Sequence, residues 1–246
     1  MKIIISPAKT MTENTDAYLS EQMPYYIEET KKIMKAVQKL TYDEAKEVWK
    51  CNDKLAKLNY ERFADMEIEK GLTPAILAYE GLQYQHMAPV VFEDGALEYV
   101  KEHLRILSGF YGVLAPFDGV TPYRLEMQSE LKVEGFKNLY DFWGDRLYRS
   151  VIDDDRVIIN LASKEYYKII EKYLEPGDRF ISVTFGELID GKVRQKATFA
   201  KMARGEMVRF MAENQITDLE KIKSFSELGF VYSEEYSKEE QWVFIK

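Results

Sequence analysis

The chain reads as an α/β or α+β protein, a mixed β-sheet core surrounded by many helices, on three observations. Short β-branched runs, Lys2 to Ile5 and Val157 to Asn160, have the make-up of buried strands. Segments of near-helical apolar spacing with capping signals lie between them. An Asp190-Gly191 pair joins two apolar stretches, the pattern of a type I′ hairpin. Strands and helices mix without a strict βαβ rhythm, so the sheet is expected to be mixed rather than purely parallel. With 246 residues, 46% hydrophobic and 13% aromatic, the chain can bury a full core, as one domain over 1–246 or as two closely packed lobes.

Taken in order, Lys2 to Ile5 delivers Ser6 at a strand end, where Pro7 stops the ladder. Ile27, Ile33, Met34 and Val37 give Pro24 to Leu40 a helical period. Thr41 with Glu44 is a capping box opening a second helix, and Asn52 caps a third that carries Leu55, Leu58 and Phe63 inward. Ala75 to Tyr79 reads as a strand, Glu93 to Leu104 as a helix holding Leu97, Val100 and Leu104, and Leu139 to Ile152 as another helix. After the strand Val157 to Asn160, Ser163 caps a helix bearing Tyr167, Ile170 and Leu174, which Pro176-Gly177 ends. The hairpin strands run Phe180 to Ile189 and Lys192 to Thr198. Phe199 to Asn214 is a helix, Thr217 with Glu220 caps the next, and Gln241 to Ile245 supplies a late strand.

Composition narrows the function. A formal net charge of −8 argues against nucleic acid held over the whole surface but leaves room for a basic cleft. The acidic blocks Asp153-Asp154-Asp155 and Glu234-Glu235 with Glu239-Glu240 read as solvated loops. Apolar runs are too short for a membrane span, and MKIIISPAK has too short an apolar core for a signal peptide, so a cytoplasmic location is expected. Cys51, the single cysteine, reads as a half-buried thiol between two helices in preference to a redox sensor, since it has no resolving partner within the chain. With His86 and His103 the only histidines, no ordinary zinc site can be assembled, and neither a metal nor a cofactor is expected. No phosphate loop or dinucleotide fingerprint is present either.

The segment Leu107 to Met127 concentrates glycines, prolines, aromatics and an arginine in a pattern too irregular for plain core. Gly109 and Gly112 allow close approach or positive φ, while Pro116 and Pro122 set φ. Ser6-Pro7-Ala8-Lys9 has the S-x-x-K spacing of some acyl-transfer enzymes without their companion motifs, so Lys9 fits better as an anion ligand at a strand-end loop. Asn160 and Ser163 sit at a strand end and helix start, as caps or as phosphate donors. On the helix from Phe199, the apolar face Phe199, Met202, Ala203, Met207, Phe210 and Met211 opposes Lys201, Arg204 and Arg209. Gly205, costly in a helix interior, is expected to let a ligand approach among them.

Six segments carry a resemblance. They are ISPAKT at Ile5 to Thr10, LSGFYGVL at Leu107 to Leu114, TPYRLEM at Thr121 to Met127, LYDFWGD at Leu139 to Asp145, VIINLASKEYYK at Val157 to Lys168, and KMARGEMVRFMAEN at Lys201 to Asn214. In these the chain resembles the YaaA family of bacterial peroxide-stress proteins. It departs from that pattern at Ala115, where the family has Arg, and at Glu80-Gly81-Leu82, where it has Lys-Gly-Asp. The resemblance implies a family-specific α/β fold and an oxidative-stress role against hydrogen peroxide that limits free intracellular iron. It also implies binding of double-stranded DNA through a helix-hairpin-helix element, for which Leu107 to Val113 is the candidate; a glycine-bearing strand and turn in the sheet fits that segment as well.

On this reading Lys9, Arg105, Arg124, Lys201, Arg204 and Arg209 line a positive cleft, with Gly109 and Gly112 offering backbone donors to DNA phosphates. The alternative is an enzyme acting on a small anionic, phosphorylated or carboxylated, substrate, with the same cations as clamps and Asp118, Tyr123 or Glu126 as general acid or base. Both require cations from distant parts of the chain to converge.

Overall fold

Ile3, Ile4 and Ile5 are completely buried, so the first strand is covered on both faces, as a central strand of a parallel sheet must be. The computed structural model describes residues 1–13, 18–70 and 72–246. Eight strands form the main sheet. They are β1 (Lys2–Ile5), β2 (Leu104–Ser108), β3 (Gly112–Leu114), β4 (Val157–Leu161), β5 (Arg179–Ile189), β6 (Lys192–Arg194), β7 (Val231–Tyr232) and β8 (Gln241–Ile245). The order is β7-β8-β5-β4-β1-β2-β3, with β6 paired onto β5 off that path. From β8 to β2 the neighbours are all parallel, while β7, β6 and β3 pair antiparallel. The fold is therefore mixed α/β, as expected.

This topology places a site before any side chain is considered. The chain leaves β1 for β2 on one side and returns to β4 on the other, so the strand order reverses at the β1–β4 boundary. In open α/β sheets the crevice outside the strand carboxyl ends at such a point is where ligands bind. Ser6 follows β1 and Ala162-Ser163 follow β4, at that crevice. A two-stranded ladder of Thr10–Met11 with Tyr79–Glu80 borders it.

Local signals explain most elements. Thr41 and Glu44 form the reciprocal capping box, and the Asn52 side chain accepts from the Leu55 amide at 3.0 Å. Asp190 and Gly191 both have positive φ, 51° and 70°, the backbone of a type I′ turn. Cys51 is half-buried between the helices Tyr42–Trp49 and Asp53–Ala64.

Several expectations are corrected. Leu55 and Leu58 lie on the exposed side of their helix; Phe63 faces inward as expected, joined there by Ala56 and Asn59. Ala75–Ala78 is a single buried helical turn between two short bridges rather than a strand. Leu139–Trp143 and Arg146–Val151 are two helices because Gly144, at φ 55°, breaks the run. Asp218, not Thr217, caps the helix Leu219–Ile222. Asp153 and Asp155 are not a merely solvated loop: their carboxylates accept from the Met1 ammonium at 2.9 and 2.7 Å.

The candidate helix-hairpin-helix segment is a β-hairpin inside the sheet. Ser108 pairs with Gly112 across the β2–β3 turn, and the Ser108 hydroxyl accepts from the amides of Phe110 and Tyr111 at 3.1 and 2.9 Å. A Cβ on Gly109 would meet the backbone of Leu125 to Met127, and one on Gly112 would meet Trp143 and Leu147. These glycines serve internal packing, so the buried strand-and-turn reading holds.

Candidate functional site

A cavity of about 340 Å³ opens at the β1–β4 switch point. Its walls come from Ser6 to Thr10 after β1, Glu80 to Tyr84, Tyr123 to Glu126, Ser163, Glu165 and Tyr166 after β4, and Lys201 and Arg204 of the helix Ala197–Glu213. Four cations, Lys9, Arg124, Lys201 and Arg204, thus meet three carboxylates, Glu80, Glu126 and Glu165. Of the six cations that the sequence singled out, these four line one cavity.

The floor is built by two serines. The Ser163 amide donates to the Ser6 hydroxyl oxygen at 2.8 Å, and the Ser6 hydroxyl reaches the Ser163 hydroxyl at 3.2 Å. Ser163 precedes the helix Lys164–Glu171 but makes no side-chain cap, because its hydroxyl is turned to Ser6. The Tyr84 hydroxyl donates to the Ser6 carbonyl at 2.9 Å, pinning the strand end.

The cations are not equivalent. Glu126 holds two of them through one oxygen, Lys9 Nζ at 3.0 Å and Arg124 Nη2 at 3.0 Å. Arg124 and Glu126 are each only 10% exposed, and the Arg124 Nε is buried without an acceptor. Arg204 has no carboxylate partner among the described residues, and its Nε is also buried and unpaired. Burial holds its guanidinium below the ordinary arginine range. Lys201, exposed and one turn earlier, likewise has no ion-pair partner among the described residues.

Among the carboxylates, Glu165 is held above its ordinary pKa chiefly by burial, opposed by the Gln128 amide that donates to it at 3.3 Å. Behind the wall the Tyr123 hydroxyl bonds to Tyr79 at 2.8 Å and Ser108 at 2.6 Å. Burial pushes Tyr123 up to about 12, so it stays protonated.

Other predicted site residues lie elsewhere. Arg105 donates to the carbonyls of Lys101 and Leu104 at 3.1 and 2.7 Å and closes the end of a helix. Arg209 pairs with Glu213 one turn along its own helix at 2.7 Å. Asn160 is buried, bonded to Ser182 and to the Ala162 amide. Gly205 is buried against the helix Leu82–Met87, where a Cβ would collide with the Gln83 backbone; helix contact rather than ligand approach requires it. Asp118 accepts from Gln22 at 2.7 Å and from the Ala115 amide at 2.9 Å, fastening loops outside the cavity.

Sequence reasoning missed Glu80, Glu165 and Tyr166, and it set Ser6 aside. The available signal was positional, since Glu165 sits in the first turn of the helix after a buried strand. Glu80 and Leu82 both line the cavity. Among the described residues no three His, Cys, Asp or Glu side chains come together as a metal site, and no helix is long and apolar enough to cross a membrane.

Fold and site together define an open-sheet α/β protein with a small, charged cavity at its topological switch point. A family profile described as "Peroxide stress protein YaaA" matches residues 1–236, and the chain belongs to that family. Curated relatives agree along the whole length. A UPF0246 protein of Agathobacter rectalis is 53% identical over 244 residues, covering 99% of this chain and 98% of the relative. One from Desulfitobacterium hafniense is 54% identical over 246 residues, covering 100% and 98%. A third, from Pediococcus pentosaceus, is 52% identical over 246 residues, with the same coverage.

Proposed function

We propose that this peroxide-stress protein binds a small anionic molecule, phosphorylated or carboxylated, in the switch-point cavity and acts on it as a substrate. The observation that carries this is Arg204, a guanidinium with a buried, acceptor-free Nε and no carboxylate partner among the described residues, on the wall of a cavity of about 340 Å³. A partly buried cation without a counter-ion is costly, and an anionic ligand removes the cost. The volume suits a small ligand, being near the lower end of small-molecule pockets. Glu165 is the carboxylate suited to proton transfer, because burial raises its affinity for a proton toward the working pH.

The family resemblance also suggests duplex DNA binding and a lowering of free iron. Duplex binding would ask the same cations to face a double helix, but Glu126 already engages Lys9 and Arg124. Arg105 and Arg209 are occupied by carbonyls and Glu213, and Gly109 and Gly112 are buried. The small-anion reading needs none of these groups to rearrange. In it, protection from peroxide and any effect on iron run through the ligand.

The two readings separate by titration. Isothermal calorimetry with small mono- and dianions should give saturable binding that Arg204→Met weakens and Arg209→Gln leaves unchanged. Duplex DNA should show no tight complex in mobility shifts across a salt series. A duplex affinity falling by about 0.9 log unit per log salt for each phosphate neutralised, and weakened by Arg209→Gln, would replace this proposal with the DNA reading.

A further inference from the structure

Two cations in the cavity have no ion-pair partner among the described residues, and they share a face. Lys201 and Arg204 are three residues apart on the helix Ala197–Glu213, so their side chains are neighbours, and both line the cavity. Neither has an ion-pair partner among the described residues. The amino end of the eight-residue helix Lys164–Glu171 reaches the same cavity through Ser163 and Glu165. Ser163 makes no side-chain cap there, and the amides of Lys164 and Glu165 have no acceptor among the described residues, so this end of the helix remains open to an anion. Independently, the Nε of Arg204, on the wall of the same cavity, is buried without an acceptor among the described residues.

From this placement we infer that the ligand is a phosphate monoester, seated with its phosphate between Arg204, Lys201 and the amino end of the helix Lys164–Glu171. The inference rests on the small-anion reading and narrows it. Charge separates phosphate from carboxylate. Two unpaired neighbouring cations ask for close to two negative charges on one group, and a phosphate monoester carries about −1.5 to −2 there at neutral pH, whereas a single carboxylate leaves one cation uncompensated and a dicarboxylate such as succinate divides its two charges between separate ends.

Donor number points the same way. The Arg204 guanidinium and the Lys201 ammonium together carry more N–H donors than the two oxygens of a planar carboxylate take up, and the three terminal oxygens of a phosphate accept more of them. The remaining lining selects the organic part. Glu80, Glu126 and Glu165 would repel a bare anion that filled the cavity, but they accept hydrogen bonds from hydroxyl or amino groups. A compact phosphorylated polyol or nucleoside satisfies both ends.

The test is calorimetric titration of the full chain with glycerol 3-phosphate, adenosine monophosphate, inorganic phosphate and succinate. At least one of the two monoesters should bind more tightly than succinate by about tenfold or more, the weight of an added charge-assisted contact. Inorganic phosphate should fall between them. Arg204→Met should weaken monoester binding by about tenfold or more. Lys201→Met, at an exposed position that does not threaten folding, should weaken it by at least about threefold, a smaller share of the same kind of contact.

Succinate binding as well as or better than both monoesters would overturn this inference while leaving the small-anion reading intact. Binding of none of the four would remove both. Monoester binding that neither variant weakens would show that the phosphate does not sit at Lys201 and Arg204.

Discussion

Gly205 rests directly on the backbone of Gln83. A Cβ at Gly205 would run into the Gln83 carbonyl oxygen and lie 2.9 Å from the Met87 amide nitrogen. Since backbone cannot yield as a flexible side chain can, Gly205→Ala should separate the two helices that carry Arg204 and Gln83 to the cavity. The expected loss is about 1–3 kcal/mol of overpacking strain, despite the better helix propensity of alanine. Chemical denaturation of the variant checks it, and an unchanged midpoint would refute the contact.

Glu126 restrains two of the four cations in the cavity. Glu126→Gln should release Lys9 and Arg124 from their shared oxygen and raise affinity for small anions several-fold, read by calorimetry. Stability should fall by about 1–3 kcal/mol because Arg124, mostly buried, loses its charged acceptor. Weaker anion binding in a folded variant would show that Glu126 positions the cations rather than restraining them.

Glu165 is assigned proton transfer, which separates its effect on turnover from its effect on binding. Under the proposed function, Glu165→Gln should abolish most turnover of the bound anion while leaving its affinity within a few-fold. A folded variant retaining full activity would take that role away.

Asp118 makes stability depend on pH. Burial raises its carboxyl in the folded protein to about 6, against about 3.9 in an unfolded chain. The folded state therefore binds the proton more tightly, and this contribution to stability is lost as pH rises from about 4 through 6, by up to about 3 kcal/mol. Asp118→Asn removes the titrating group. The variant should show a smaller decline between pH 4.5 and 7 than the parent, measured by urea unfolding at each pH. Equal slopes would place the titration elsewhere.

Much of the fold could be read from short-range chemistry. Thr41 with Glu44, Asn52 before its helix, and Asp190-Gly191 announced their structures because a cap or a tight turn involves only a few consecutive residues. The errors were those of burial direction and length. Leu55 and Leu58 had the composition of core but sit outward, and Ala75–Ala78 had strand-like residues yet closes a helical turn, since each outcome is set by what packs alongside. Lys9, Arg124, Ser163, Lys201 and Arg204, singled out as candidate anion ligands from their place at strand ends, near glycines or on a helix back, line one cavity. Arg105, Arg209, Gly109 and Gly112 carried the same signals, but their partners lie in local backbone, in Glu213 and in internal packing.

By itself the amino-acid sequence determined the family, the mixed α/β class, the individual caps and turns, and the set of cations from which a site could be drawn. Each of these depends on neighbouring residues or on overall composition. Tertiary structure alone decided which cations meet, that Glu126 occupies two of them while Arg204 has no carboxylate partner among the described residues, and that Gly205 serves a helix contact. Those outcomes depend on the strand order reversing beside β1, which brings Ser6 and Ser163, far apart in the chain, within hydrogen-bonding distance.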